Sequence, residues 1–287
     1  MKKISVLFIL LSAIFVFADR PPQSVVMESG NLKVRLDSRK VWNINRVEWE
    51  GELVGVDQIG AHYGTAYQIE GGKFFIGSGH DESGKKEKMT SIRFFIDDDH
   101  EVPCSKSMIN AAVVGMEKES EIGDFKVKYK FFIDNNILHE RVEITAVKDV
   151  AVNYLYPLMH PWSTRFSEYM GLGESGVKLN VKFKSDNTFP NRRYLEFGAF
   201  YDEKSGCGVA ALKSAESGEK SLRRFLWDRS NYRKDYLCDY SHAVFPAGHT
   251  AVYTSHTAFF RETDKTKWQQ QAVEILNDLK VLHKNAD

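Results

Sequence analysis

A two-residue alternation in the middle of the chain constrains the fold more than any other feature. Within residues 125–133, five apolar residues are spaced two apart, and lysines separate the first four of them. They are Phe125, Val127, Tyr129, Phe131 and Ile133, with Lys126, Lys128 and Lys130 between them. Because successive side chains of a strand point to opposite faces, this pattern predicts a half-buried antiparallel strand. We expect the lysine face to be solvated, or to protect a sheet edge, rather than to bind a polyanion.

The same alternation recurs elsewhere in the chain. It is found in residues 177–183 and around residues 34–36 and 142–146. Clusters of Gly, Asn and Asp, which favour turns, separate such runs at 71–72, 97–99 and 134–136. Many short strands with few helices predict an all-β fold, either a sandwich or a barrel.

The end of the chain has helical spacing instead. Apolar residues recur there three or four positions apart, and Asp264 precedes them as a helix cap. They are Trp268, Ala272, Ile275, Leu276, Leu279 and Leu282. We therefore predict a C-terminal helix from about residue 264 that packs on the β-structure, with Trp268 in the core.

The beginning of the chain predicts export. Residues 1–18 combine two lysines, a short apolar run and small residues before Asp19, the pattern of a cleavable secretory signal peptide. The run is too short to span a bilayer comfortably, so we expect a secreted or periplasmic protein with no membrane anchor after cleavage. Residues 19–287 are predicted to form one domain, with continuous β-structure from about Val25 to Phe260 before the helix.

Charge and motifs exclude several classes of function. Without Lys2 and Lys3, 37 basic residues face 39 acidic ones, a net charge of −2 that gives no reason to expect nucleic acid as a partner. The sequence contains no CxxC, HExxH, GxSxG or phosphate-loop motif, which argues against a zinc site, a serine hydrolase and a nucleotide site. Cys104, Cys207 and Cys238 allow at most one disulfide, for which Cys207 and Cys238 are the expected pair.

No cofactor is predicted. The carboxylates at Asp81, Glu82 and 97–99 could bind a structural calcium ion. They lack a recognised loop spacing, however, and are expected to lie in solvated turns.

Two histidine clusters are candidates for catalysis. His80 follows Gly77 and Gly79, whose backbone permits close approach of a ligand, although a polar hairpin tip would look the same. His160 lies beside Trp162 in an aromatic segment between two prolines, where an imidazole could exchange protons next to an indole that stacks on a sugar ring. A structural histidine is the alternative there.

A third cluster interleaves arginines with aromatic residues, a composition that suits a sugar chain bearing carboxylates or sulfates. The alternative is a loop held together by Arg–Asp pairs and tyrosine hydroxyls. Its candidate residues are Arg193, Tyr194, Trp227, Asp228, Arg229, Tyr232 and Arg233.

Three segments in this order resemble the galactose mutarotase-like superfamily. Residues 138–145 lead to Tyr156-Pro157-Leu158-Met159-His160-Pro161-Trp162, which resembles the family's strand ending on a His-Pro-aromatic segment at the sugar cleft. Residues 245–250 resemble its late proline-glycine turn, and 60–64 with 77–82 resemble its N-terminal glycine and histidine segments. The resemblance implies a large two-sheet antiparallel β-supersandwich. The glutamate base of aldose 1-epimerases is absent from 226–233, where Asp228 could substitute.

The first candidate function is a polysaccharide lyase that cleaves a uronic-acid-containing glycan by β-elimination. This reaction needs a group that neutralises the carboxylate, a base for the neighbouring C–H, and an acid for the leaving oxygen. The residues considered for these tasks are, in that order, Arg193 or Arg229, His160 or His80, and Tyr232 or Tyr194. A tyrosine among several cations could serve as both base and acid.

Two other functions stay open. An aldose 1-epimerase would use His160 as the proton donor to the ring oxygen and Asp228 as the base. A non-catalytic glycan-binding protein would use Trp162, Trp227 and Tyr232 as a stacking platform and arginines for acidic groups. In all three, the expected partner is an oligo- or polysaccharide, acidic in character.

Overall fold

Strands make up most of the structure. The computed structural model describes residues 22–58, 61–80, 86–173, 178–216, 222–239 and 244–285. The predicted signal peptide and the pair Asp81–Glu82 lie outside these residues. The elements are β1 Ser24–Ser29, β2 Leu32–Asp37, a 3-10 turn Ser38–Lys40, β3 Asn43–Trp49, β4 Glu52–Val56, β5 Gly64–Ile69, β6 Ile76–Gly77, β7 Lys88–Ile96, β8 His100–Val102, β9 Met108–Asn110, β10 Val113–Ile122, β11 Phe125–Asp134, β12 Ile137–Ala146, β13 Val150–Trp162, β14 Glu168–Leu172, β15 Lys178–Lys182, β16 Phe197–Tyr201, β17 Cys207–Ala215, β18 Leu222–Asp228, β19 Arg233–Asp239, β20 Val244–Phe245, β21 Thr250–Arg261 and α1 Trp268–Asn285.

The strands form two large sheets. The first has eleven strands, with the order β18-β19-β13-β4-β3-β2-β1-β9; β5 and β20 pair with β13, and β6 pairs with β5. The second has ten strands, in the order β15-β14-β16-β17-β21-β12-β11-β10-β7-β8. The long neighbouring strands are antiparallel, whereas β1 and β9 run parallel. The predicted two-sheet sandwich is confirmed.

One hydrophobic core fills the space between the sheets. In β11, the alternating apolar residues from Phe125 to Ile133 are all buried, while Lys126 and Lys128 are exposed. The Lys128 ammonium lies 2.7 Å from the Glu117 carboxylate on the neighbouring strand. The solvated lysine face predicted from the sequence is therefore confirmed.

The helix covers the outer face of the ten-stranded sheet. It begins at Trp268 rather than near 264, because the Asp264 carboxylate accepts hydrogen bonds from the Thr266 backbone (2.9 Å) and hydroxyl (2.7 Å) and so initiates a turn first. Trp268 is 2% exposed and stacks on Tyr201 with ring centroids 5.0 Å apart. Its predicted place in the core is confirmed.

No helix in the described part of the chain is long and apolar enough to cross a membrane.

The cysteines do not pair as expected. All three are free. Cys207 lies in the core between the sheets, whereas Cys238 lies with Tyr156 and Met159 on the other face of the eleven-stranded sheet. The expected Cys207–Cys238 disulfide is corrected, because the sheet itself separates the two thiols.

Candidate functional site

A cleft of about 650 Å³ lies on the outer face of the eleven-stranded sheet. Its floor is formed by β5, β13, β18 and β19, and its walls by the segments around residues 75–80 and 189–192. Aromatic and cationic side chains dominate the lining, and no Asp or Glu of the described residues contributes to it. The lining residues are Gln68, Phe75, His80, Tyr154, Tyr156, Phe189, Arg192, Arg223, Phe225, Trp227, Tyr232, Lys234 and Tyr236.

Strand alternation explains how β18 and β19 supply this surface. In β18, Arg223, Phe225 and Trp227 are half-buried and face the cleft, while the residues between them are buried. In β19, Lys234 and Tyr236 face the cleft, and Asp235 between them faces the interior. Alternate residues of these two strands therefore line the cleft, and the residues between them lie in the core.

One wall of the cleft is a stacked column. The rings of Phe189 and Trp227 are 4.3 Å apart and nearly parallel. The Arg192 guanidinium lies 4.1 Å from the Phe189 ring centre, and the Arg229 guanidinium lies 4.1 Å from that of Trp227. Both faces of the Trp227 ring are thus covered within the protein, and Trp227 contributes to a cationic wall rather than an open stacking platform.

Lys234 lies at the floor of the cleft. Its ammonium is 4.2 Å from the Tyr236 ring centre, 4.7 Å from that of Tyr156 and 5.4 Å from that of Trp227. Burial lowers the pKa of Lys234 to about 8, because the charged form loses solvent contact. Lys234 lies within the arginine-aromatic segment of the sequence but was given no role there.

Three tyrosines of the cleft, Tyr156, Tyr232 and Tyr236, are neutral phenols. Burial raises the pKa of Tyr156 and Tyr236, and it raises the pKa of Tyr232 against the opposing effect of Arg229. The expectation that neighbouring cations would favour an ionised tyrosine is therefore corrected for Tyr232. Its hydroxyl is therefore protonated at neutral pH and does not act as an anionic base.

The opposite wall carries His80, one of the two candidate histidines from the sequence. Its imidazole lies 5.2 Å from the Phe75 ring and 5.7 Å from the His62 ring. The preceding Gly79 has φ +68°, and a Cβ there would approach within 2.2 Å of the His62 ring, so glycine is required for this close approach.

A buried polar cluster holds this wall in place. The Ser78 hydroxyl donates to the Glu87 carboxylate at 2.5 Å and accepts a hydrogen bond from the backbone of Thr65 at 3.1 Å. Glu87 in turn accepts from the Lys118 ammonium at 2.7 Å. Ser78, two residues before His80, thus attaches this segment to the interior of the sandwich.

His160 lies elsewhere. It is 1% exposed, between the two sheets, with Nε2 2.6 Å from the Glu140 carboxylate, which also accepts from the Tyr129 hydroxyl at 2.7 Å. Burial lowers the pKa of His160, so a neutral imidazole faces the carboxylate. The expected place of His160 in the sugar cleft is corrected: it lies in the core, on the opposite face of β13 from Tyr156, as does Trp162, which is 0% exposed.

Asp228 and Arg233 hold a loop beside the cleft. The Asp228 carboxylate accepts backbone hydrogen bonds from Lys184 (2.6 Å) and Ser185 (2.9 Å) and pairs with Arg233. Arg233 also donates to the backbone carbonyl of Phe166 at 3.1 Å. Both side chains are buried and do not line the cleft. The loop alternative from the sequence describes them best, because neither side chain contributes to this cleft.

The structure therefore divides the predicted site residues. His80, Trp227 and Tyr232 line one cleft, with Arg229 against its wall. Arg193 is exposed outside it, and the Tyr194 hydroxyl donates to the backbone carbonyl of Lys213 at 3.0 Å. Within the described ranges, no group of three or more His, Cys, Asp or Glu side chains is placed to hold a metal ion.

The fold and the cleft together define an all-β supersandwich with a ligand-sized depression on one sheet. Neither a protein-family model nor a curated protein sequence matches the chain. Solved structures do. The chain is similar to a protein from Escherichia coli described as an aldose 1-epimerase, with 9% identity, a TM-score of 0.51, and coverage of 83% of this chain and 99% of that one.

Two further structures support the same fold. A Synechocystis protein has 8% identity and a TM-score of 0.53 over 91% of this chain and 100% of its own. An α-N-acetylgalactosaminidase from Bifidobacterium bifidum, solved with GalNAc, has 10% identity and a TM-score of 0.54 over 88% of this chain and 38% of its own. The galactose mutarotase-like fold predicted by resemblance is confirmed.

Proposed function

We propose that the protein is a carbohydrate-active enzyme that interconverts the anomers of a sugar, an aldose 1-epimerase type of activity. The observation that carries this proposal is that His80 and Tyr232 line one aromatic cleft of sugar size. The fold shared with a protein described as an aldose 1-epimerase supports it. Fold alone does not define activity, so the residues that line the cleft carry the proposal.

The chemistry requires two proton transfers. A base removes the proton of the anomeric hydroxyl, the bond between C1 and the ring oxygen breaks, and an acid protonates that oxygen; rotation about C1–C2 and reversal give the other anomer. An imidazole such as that of His80 can take a proton near neutral pH. The neutral phenol of Tyr232 is suited to give one. In this proposal His80 replaces His160, and no role falls to Asp228.

The cleft also presents aromatic edges and faces to the sugar. Tyr154, Tyr156 and Phe75 form an apolar surface on which the C–H face of a pyranose can pack. Gln68 adds a polar group at its border that can orient hydroxyls, whereas the Tyr236 hydroxyl is hydrogen-bonded to the His62 backbone.

Mutarotation is tested directly by following the equilibration of freshly dissolved α-D-glucose, D-galactose, D-glucuronate and D-galacturonate by NMR. We expect acceleration for at least one of them, and a loss of about 100-fold or more in His80→Gln, the range for removal of a general acid or base. His100→Gln is the matched control, because His100 is an exposed histidine on β8, in the other sheet. Sugar binding without acceleration would favour a non-catalytic glycan-binding protein.

The β-elimination hypothesis has one observation in its favour. Arg192, Arg223 and Lys234 place three cations in the same cleft, as neutralisation of a uronate carboxylate requires. Incubation with uronate polysaccharides and measurement of the ultraviolet absorbance of an unsaturated product separates a lyase from an epimerase. Absence of this absorbance on every substrate would exclude the lyase.

Export remains part of the proposal. A secreted or periplasmic location, with cleavage before Asp19, rests on the sequence of residues 1–18.

A further inference from the structure

Lys234 differs from the other deeply buried lysines of the described structure. Lys118 is 1% exposed and its ammonium lies 2.7 Å from the Glu87 carboxylate. Lys213 is fully buried and its ammonium lies 3.1 Å from the Asp235 carboxylate. Lys234 is 8% exposed, yet none of its contacts to described residues involves a carboxylate. A buried ammonium ordinarily has an anionic partner, and among the described residues this one has none.

The described residues around Lys234 offer no substitute anion. Aromatic rings of Tyr156 and Tyr236 stabilise a cation without neutralising it. Burial raises the pKa of Cys238 and of both tyrosines, so these groups are neutral. Two further phenols, Tyr154 and Tyr232, line the cleft, and the other ionisable side chains there or facing the amine are cationic or can become so: Arg192, Arg223, Arg229 and His80.

We propose that Lys234 is the anchor for an anionic substituent of the sugar in this cleft, and that binding of the anion is coupled to uptake of a proton by the Lys234 amine. The inference rests on the proposed function in that the ligand is a sugar. It adds the class of sugar, an acid such as a uronate, and a dependence of its affinity on pH.

The direction of the coupling follows from burial. The pKa of Lys234 is lowered to about 8 in the unliganded protein, and an adjacent anion raises it again. At pH 8 about half of the amine is neutral, so binding takes up about half a proton; at pH 6 the amine is already charged and takes up none. If only the ammonium form binds, affinity for the anion falls about tenfold between pH 7 and pH 9.

Isothermal titration with D-glucuronate and D-glucose tests both parts. Each titration is run at pH 6 and pH 8, in two buffers with different ionisation enthalpies, so that the difference in heat counts the protons taken up. The wild-type protein should prefer glucuronate and take up about half a proton at pH 8 only. Lys234→Met should lose the preference for glucuronate and the proton uptake while still binding glucose. Lys234→Arg should keep the preference without the uptake, because a guanidinium stays charged over this range.

The outcomes separate this inference from the proposed function. If Lys234→Met still prefers glucuronate, or takes up the same fraction of a proton as the wild-type protein, Lys234 is not the anchor and the sugar cleft stands. If wild-type protein binds glucose and glucuronate equally, the acidic class is wrong. If it binds none of D-glucose, D-glucuronate, D-galactose and D-galacturonate, both proposals fail. Retention of the thermal unfolding midpoint in Lys234→Met shows that a loss of binding is not a loss of folding.

Discussion

At the scale of single residues, Asp235 determines how charge is buried beneath the cleft. Its carboxylate accepts two hydrogen bonds from the Arg224 guanidinium, at 2.6 and 2.8 Å, and lies 3.1 Å from the Lys213 ammonium. Burial disfavours the charged carboxylate, but these two cations hold its pKa well below the usual range. Asp235 neighbours Lys234 in β19 but points to the opposite face, which separates the core charges from the cleft charge.

Replacement of this carboxylate should be costly. In Asp235→Asn, two buried cations lose their counter-charge, and we expect the free energy of unfolding to fall by about 3–5 kcal/mol. Urea unfolding at pH 7 measures it. Asp99→Asn is the matched control, since Asp99 forms an exposed pair with Arg93 that is expected to contribute less than about 1 kcal/mol. Equal effects of the two substitutions would contradict the account of a charged core.

At the scale of elements, β13 decides which residues reach the cleft. Tyr154 and Tyr156 face outward, and uninterrupted alternation would place His160 on the same face. Just before His160, the pairing of β13 shifts register at one place, between Leu155 and Leu158 against β19 and between Tyr156 and Met159 against β5. Residues beyond the shift change faces, so His160 points into the core. A local irregularity thus overrides a pattern that the sequence resemblance had associated with the sugar site.

The helix is the second element whose contribution can be measured. Trp268 and three further apolar residues of α1 pack on the apolar outer face of the ten-stranded sheet. Trp268→Ala should lower the free energy of unfolding by about 3–5 kcal/mol through lost burial and a cavity against Tyr201. Val281→Ala, on the same helix but 59% exposed, should change it by less than about 0.5 kcal/mol. Comparable losses in both variants would mean that α1 is not docked as described.

At the scale of the whole molecule, buried histidines should limit stability in acid. His139 on β12 is buried, with Nδ1 2.9 Å from Nδ1 of His256 on β21. Burial lowers the pKa of His139 to about 4, against an ordinary value of 6.5. Between these values the unfolded chain binds a proton that the folded one does not, so stability falls as the pH falls from 6.5 toward 4.

The size of this effect follows from the shift in pKa. Burial of His139 lowers the free energy of unfolding by about 3 kcal/mol once the pH is below 4, and this loss is absent above pH 6.5. Denaturant unfolding of His139→Gln at pH 7 and pH 4.5 should show a smaller loss on acidification than the wild-type protein. His100→Gln, with an exposed imidazole, should lose as much as the wild-type protein. An unchanged acid loss in His139→Gln would show that this imidazole does not control it.

Prediction from sequence worked best where periodicity reports burial directly. The alternation in 125–133 and the helical spacing after Trp268 identified a strand, a helix and their buried faces, because both patterns arise from local geometry. The candidate site was predicted less well. His80 and Tyr232, which line the cleft, were among the candidates, but Lys234 was given no role, because its importance depends on which cleft it faces and on the absence of a carboxylate there among the described residues.

The sequence by itself determined the strand-rich sandwich, the solvated lysine face and the docked helix, because these follow from the repeat of apolar residues along each element. Only the tertiary structure decided which polar residues meet. Packing of two sheets buried His160 with Glu140 and Asp228 with Arg233, and brought His80, Tyr232 and Lys234 together from distant parts of the chain. The physical reason is that charge burial and cleft membership depend on register between strands, and a single shift in register moves a side chain from one face of a sheet to the other.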